Sequence, residues 1–203
     1  MEKTRSNLRK SNIELLRLVA MFLIIAGHFW AQSGASDTPI RPAWVVSSFL
    51  GSGSRIAVGL FLMIGAWFLV DHTDNVVTRS LKLYGQLWIY GIAITVVLLI
   101  LGKSIDAVGF VNVFFPFIRR SPWYVPVYIV LLLISPILSQ FFNLKRNVQR
   151  TTLLILTFII PLISTVSRFM DDWLDCITWF CYTFLLIGYY KHYLYQEEIL
   201  AKS

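Results

Sequence analysis

The chain has 203 residues, of which 57% are hydrophobic, 15% aromatic and only 14% charged. That balance excludes an ordinary soluble domain. Several apolar stretches approach or exceed the roughly 20 residues that cross a bilayer core, so the core must be helix against helix in lipid. The formal net charge of +7 does not indicate a nucleic-acid partner, because the basic residues sit in short clusters between apolar segments, as topology signals do.

Residues 1–10 form a basic tail with Lys3, Arg5, Arg9 and Lys10. The first span covers about 12–32. It is too long for the apolar part of a cleaved signal and no small-residue cleavage site follows, so it is expected to stay in the protein. "SGASDTPIRP" reads as a loop from its Ser, Gly, Asp and Pro content. "AWVVSSFLGSGS" reads as a short helix or as the frayed start of the second span, 55–70. After the polar link "DHTDNVVTRSLK" comes a third span, 83–101. Residues 102–122 are a longer connection with an interfacial apolar piece. The fourth span, 123–142, is followed by the basic loop "NLKRNVQR", a fifth span at 151–167, the acidic loop "RFMDDWLD" and a sixth span at 176–193. Residues 196–203 close the chain as a second tail.

The expected fold is therefore all-α, a polytopic transmembrane bundle of about six spans. With the N-terminus in the cytoplasm, the inside segments hold eleven Lys and Arg residues and the outside segments six. This favours a multi-pass cell-membrane protein with both termini inside. Cys176 and Cys181 are five apart, where helix neighbours are three or four apart. They read as two small buried apolar residues.

The first span, "SNIELLRLVAMFLIIAGHFW", keeps three ionisable side chains. Arg17 and His28 are eleven residues apart, close to three helical turns, so they lie within roughly 20° of each other around the axis. Glu14 lies within about 40° of His28 and stands i, i+3 from Arg17, close enough to bond it. Met21, Ile24 and Ile25 fill the gap. Charges inside a membrane usually face a bundle interior or a wet cavity. Glu14 and Arg17 lie within two turns of the cytoplasmic end, where a snorkelling interfacial pair is the other reading. His28 is about 16 Å further along. It is either an interfacial imidazole beside Phe29 and Trp30, or a buried one able to move a proton near neutral pH.

"NIELLRLVAMFLIIAGH" resembles the first helix of the membrane-bound acyltransferase type 3 family, whose hallmark is an Arg, ten residues and a His. Here these are Arg17 and His28, preceded by Glu14. "GLFLMIGAWFL" is similar to the family's second helix, with Ile64 in place of the usual Ser before Gly65. "TRSLKLYGQLW" is similar to the basic segment after it, with Lys82 as the second basic residue and no Pro following. "SPWYVPVYIVLLLISPIL" is similar to the Trp-Tyr helix, including its late Pro136. The nearest flavour is the Gram-positive branch that acetylates cell-surface polysaccharide. The resemblance covers 11–195 as one acyltransferase-like domain. Family members have about ten spans, so an N-terminal part is expected here.

The resemblance implies transfer of an acyl group, an acetyl first of all, from cytoplasmic acyl-CoA to a hydroxyl of a cell-surface or lipid-linked glycan. His28 would take the proton of the attacking hydroxyl, and Glu14 and Arg17 would order the mouth of the donor path by pairing. Arg79 and Lys82, at a cytoplasmic helix end, could pair with the donor's phosphates, or serve only as topology signals. Trp123 and Tyr124 could stack on a sugar or belong to an aromatic belt. Arg119 and Arg120 beside them suit an anionic glycan or a solvated flank. His72 and His192 read as solvated loop or helix-end residues. No metal is expected, since no His-Glu-x-x-His helix is present. The partners are membrane lipid, acyl-CoA and the glycan acceptor, with remaining walls from C-terminal helices or a second copy. Two alternatives stand beside this reading. One is an inactive truncated fragment of such an enzyme. The other is a small transporter or channel, which would need charges in several spans, whereas spans three to six carry almost none inside.

Overall fold

The computed structural model describes residues 2–32, 41–104, 111, 123–167 and 172–197. Among the described residues six helices carry the fold: α1 (Glu2–Gln32), α2 (Arg41–Leu69), α3 (Val76–Ile100), α4 (Tyr124–Ser139), α5 (Arg146–Ser167) and α6 (Asp172–Tyr189). A 3-10 turn, Gln140–Asn143, extends α4, and a π turn, Tyr190–Leu194, extends α6. There is no strand among the described residues. Among the described residues four stretches are long and apolar enough to cross a membrane: Ser11–Gln32, Ser52–Leu69, Val76–Ile100 and Tyr124–Asn143.

All six expected segments are helices, but their links are shorter than expected. The basic tail is already helical from Glu2, because "EKTRSNLRK" is rich in helix formers and holds no Gly or Pro. "AWVVSSFLGSGS" is neither separate nor frayed: it runs unbroken into the second span. Half of the acidic loop is the first turn of α6, where Asp172 and Asp175 suit the positive end of the helix dipole. The polar link before α3 ends at Asn75, which takes φ 54°. Asn tolerates this left-handed conformation, and it turns the chain into the helix. Gly102 at φ 71° ends α3, and the N–H of Lys103 reaches back to the Leu98 carbonyl at 3.0 Å. The interfacial piece "AVGFVNVFFPFI" expected within 102–122 lies outside the described residues except for Val111.

The chain divides into two compact units, Met1–Phe68 and Leu69–Ser203. In the first, α1 is covered along Ile13, Arg17, Ala20, Ile24 and Gly27, with Ala20 and Gly27 buried. The alternating spacing of four and three is one helix face. Two contacts orient its partner: Leu23 approaches Gly53 of α2, and Arg17 lies over Phe68 near the end of α2. The two helices therefore run antiparallel.

In the second unit α4 packs against α3 and α6, and α6 packs against α5. Side-chain contacts give the directions. Tyr124 meets Phe180, and Phe142 meets Phe184 and His192, so α4 and α6 run parallel. Gln149 meets Tyr193 and Thr157 meets Tyr182, so α5 runs against them. Burial follows this arrangement. The helix α4 buries Pro126, Val127, Ile129, Leu131, Leu132 and Ser135. In contrast α3 buries only Ser80 and leaves Ile89, Tyr90, Ile94, Val97 and Ile100 exposed, an apolar surface that matches acyl chains.

A close approach between elements occurs at Gly188 of α6. A Cβ there would overlap the Phe142 ring, which is held between Phe184 and His192. Gly85 of α3 is the opposite case, since a methyl group at that position would meet nothing within 4 Å. Gly188→Ala is expected to destabilise the unit by about 1–3 kcal/mol through overpacking. Gly85→Ala is expected to be neutral or to stabilise by up to ~1 kcal/mol. Thermal unfolding of the detergent-solubilised variants measures both.

Candidate active site

Because α1 is one unbroken helix, the sequence spacing of Glu14, Arg17 and His28 holds in space, with about 16 Å between Arg17 and His28 along the axis. Their surroundings differ. Arg17 lies on the covered row and is half-buried, whereas Glu14 and His28 are exposed. Taking the covered row as centre, His28 stands about 60° round and Glu14 about 100°. The three side chains thus occupy one flank of the packed face. Of the residues between them, Met21 and Ile25 are exposed and Ile24 is half-buried.

The expected Glu14–Arg17 pair does not form. Among the described residues no ion pair joins them, and the Arg17 guanidinium carbon lies 5.1 Å from the centroid of the Phe68 ring. A guanidinium over an aromatic face gains from the ring quadrupole, and its weak hydration lets it sit in a half-buried place. Arg17 is thereby fixed to α2, leaving Glu14 unrestrained by it. Sequence reasoning has no means of finding Phe68, since nothing local links the two positions.

The second group lies at one end of the unit Leu69–Ser203. Arg79 and Lys82 share the first turns of α3. Arg79 is half-buried and donates from Nη1 to the His72 carbonyl at 2.6 Å, while its own backbone N–H bonds the Asn75 carbonyl at 3.1 Å. One of its five N–H donors is thus spent on the loop before α3, and others remain for an anion. Lys82 is exposed. Asp71, in the same loop, forms an ion pair with Lys191 of the π turn. Arg146 pairs with Glu197 at 2.7 Å and lies over the Tyr193 ring. The Glu197 carboxylate and then Tyr189 hold the Arg146 guanidinium above its ordinary pKa, so it stays charged. These contacts bring 71–82, 145–150 and 190–197 to one end of the unit. Sequence reasoning misses Asp71 and Lys191. The available signal is their opposite charge on segments that the topology puts on one membrane side.

The third group is aromatic. Trp123 and Tyr124 meet edge to face at 5.9 Å, and both rings contact the buried Phe180. Tyr128 lies nearly parallel to Tyr124, at 6.1 Å and 9°. Trp123 is the exposed member and Tyr124 is half-buried in the cluster. Arg119 and Arg120 lie outside the described residues. Among the described residues no three His, Cys, Asp or Glu side chains gather where they could hold a metal ion. His72 and His192 are both exposed.

A family model described as an acyltransferase domain matches residues 10–202, nearly the whole chain. No curated protein and no solved structure matches.

The Arg17–Phe68 contact gives a stability test independent of activity. Phe68→Leu is expected to cost about 0.5–2 kcal/mol through loss of the ring face. In an Arg17→Gln background that cost should be smaller by the worth of the cation–π contact, because that partner is already gone. Thermal unfolding of the four proteins of this cycle in detergent reads the coupling directly.

Proposed function

The chain belongs to the acyltransferase type 3 family of membrane enzymes, and on that premise we propose that it moves an acetyl group from acetyl-CoA to a hydroxyl of a cell-surface or lipid-linked glycan, as in the Gram-positive branch of the family. The observation that carries the reading is the flank of α1. Arg17 and His28 are aligned on one continuous helix, about 16 Å apart, beside a packed face rather than in the middle of one. A pantetheine arm extends roughly 20 Å at extended-chain spacing, enough to bridge that distance.

In the proposed reaction the His28 imidazole accepts the proton of the sugar hydroxyl as its oxygen attacks the thioester carbonyl. The C–O bond forms, the C–S bond breaks, and coenzyme A leaves as the thiol with the proton that His28 held. Arg17, seated over Phe68, supplies a fixed cation on the donor's side of the path. The unspent donors of Arg79, with Lys82, bind the donor phosphates. Trp123 offers a ring face to the sugar, and Arg119 and Arg120 suit an anionic glycan. The N-terminus is cytoplasmic in this reading. The gathering of Arg79, Lys82, Lys145, Arg146, Arg150 and Lys191 at one end of their unit supports it, since basic residues stay on the cytoplasmic side.

His28→Ala is the direct test. In cells that express the variant at the parental level, O-acetyl release from the envelope glycan is expected to fall about 10²–10⁴-fold, the usual contribution of a general base. Unchanged release would remove His28 from the chemistry. Mass spectrometry of the glycans with and without the gene identifies the acceptor. Absence of any transfer by the unaltered chain would favour the inactive-fragment reading.

A further inference from the structure

The end of the second unit holds a device that the proposed chemistry has not used. The ion pair between Asp71 and Lys191 joins residues 120 positions apart. The Lys191 side chain is only 16% exposed and that of Asp71 48%, so the pair is shielded from the lysine side and open from the other. Asp71 is the residue next to His72, and the His72 carbonyl accepts the 2.6 Å hydrogen bond from Arg79. The order of contacts is therefore Lys191, Asp71, His72, Arg79. Each link is a direct bond or a single peptide step.

Both ends of this series are anchored. At one end Asn75 sets the start of α3, and the Arg79 backbone N–H bonds its carbonyl. At the other, the π turn is gripped from α5: Tyr193 accepts from the buried Gln149, and Arg146 lies over the Tyr193 ring and bonds Glu197. Lys191 thus projects from a braced turn toward Asp71. The pair ties the short stretch 70–75 to the end of α6, and so holds in place the carbonyl that orients the Arg79 guanidinium.

We propose that Asp71 and Lys191 are a positioning pair for Arg79, setting the direction of its guanidinium toward the donor phosphates. Neither residue touches the donor. The pair acts through the His72 carbonyl. The proposal rests on the reading of Arg79 as a phosphate ligand.

The test is a double-mutant cycle on coenzyme A affinity, measured with the full chain in lipid nanodiscs. Asp71→Asn keeps the size of the side chain and removes its charge. It is expected to weaken coenzyme A binding by ~10-fold in the otherwise unaltered protein, the scale of one such coupling. In an Arg79→Ala background the same change should alter affinity less than about twofold, because there is no guanidinium left to direct. The swap Asp71→Lys with Lys191→Asp should recover most of the loss. A merely structural pair would lower affinity equally in both backgrounds, and that result overturns the proposal. So does an affinity untouched by Asp71→Asn. If coenzyme A does not bind the unaltered protein, or binds equally well after Arg79→Ala, the donor-site reading itself fails, which the cycle separates from failure of the pair alone.

Discussion

The rest of the structure depends on satisfying the backbone where lipid supplies no hydrogen-bond partner. A carbonyl or N–H without a partner in hydrocarbon costs several kcal/mol, which leaves helices as the means by which these helical segments can span. Two prolines interrupt that solution. Pro136 in α4 has no N–H to offer the Leu132 carbonyl, and the Ser135 hydroxyl takes that place at 2.8 Å, inside a helix where Ser135 is fully buried. Pro161 in α5 follows Thr157, whose hydroxyl bonds the Leu153 carbonyl at 2.8 Å and meets the Tyr182 hydroxyl of α6 at the same distance. Each break in a helix ladder is thus accompanied by a hydroxyl one or four residues before it.

The same rule governs the end of α4. Its last carbonyls are received by the 3-10 turn that follows, and the carbonyls at the end of that turn need partners in their place. Gln149 is fully buried and donates its amide to the Phe142 carbonyl at 3.1 Å and to the Leu144 carbonyl at 2.8 Å, while also reaching Tyr193. One side chain therefore caps the 3-10 turn after α4 and ties it to the π turn after α6. The ring of Phe142 fills the space against Gly188. The amide donors of Gln149 and the close packing of Phe142 meet at one place, and it is the place that braces Lys191.

Legibility in the sequence follows the range of each interaction. Helix identity is readable because hydropathy and span length are local properties, so all six segments emerge from the sequence. Helix ends are harder. Basic and acidic residues at 2–10, 146–150 and 172–175 read as tails and loops, although Lys, Arg and Glu are good helix formers and acidic residues favour a helix start. The angular alignment of Arg17 with His28 is legible because a continuous helix fixes it. The partner of Arg17 is not. The local rule that i, i+3 charges pair points to Glu14, and a tertiary contact with Phe68 prevails. Gln149 reads as one more polar residue of a basic loop, since its role is set by the fold of the turn at 142–144 and by Tyr193, 44 residues away.

The length of α1 has a mechanical consequence. At 1.5 Å per residue its 31 residues make a rod of about 46 Å, against a hydrocarbon core of about 30 Å. It contains neither proline nor π turn to absorb a twist, so its amino-terminal turns and His28 move as one body. The turns before Ser11 extend the same rod past the hydrocarbon, so the depth of His28 is fixed by where that rod sits in the bilayer.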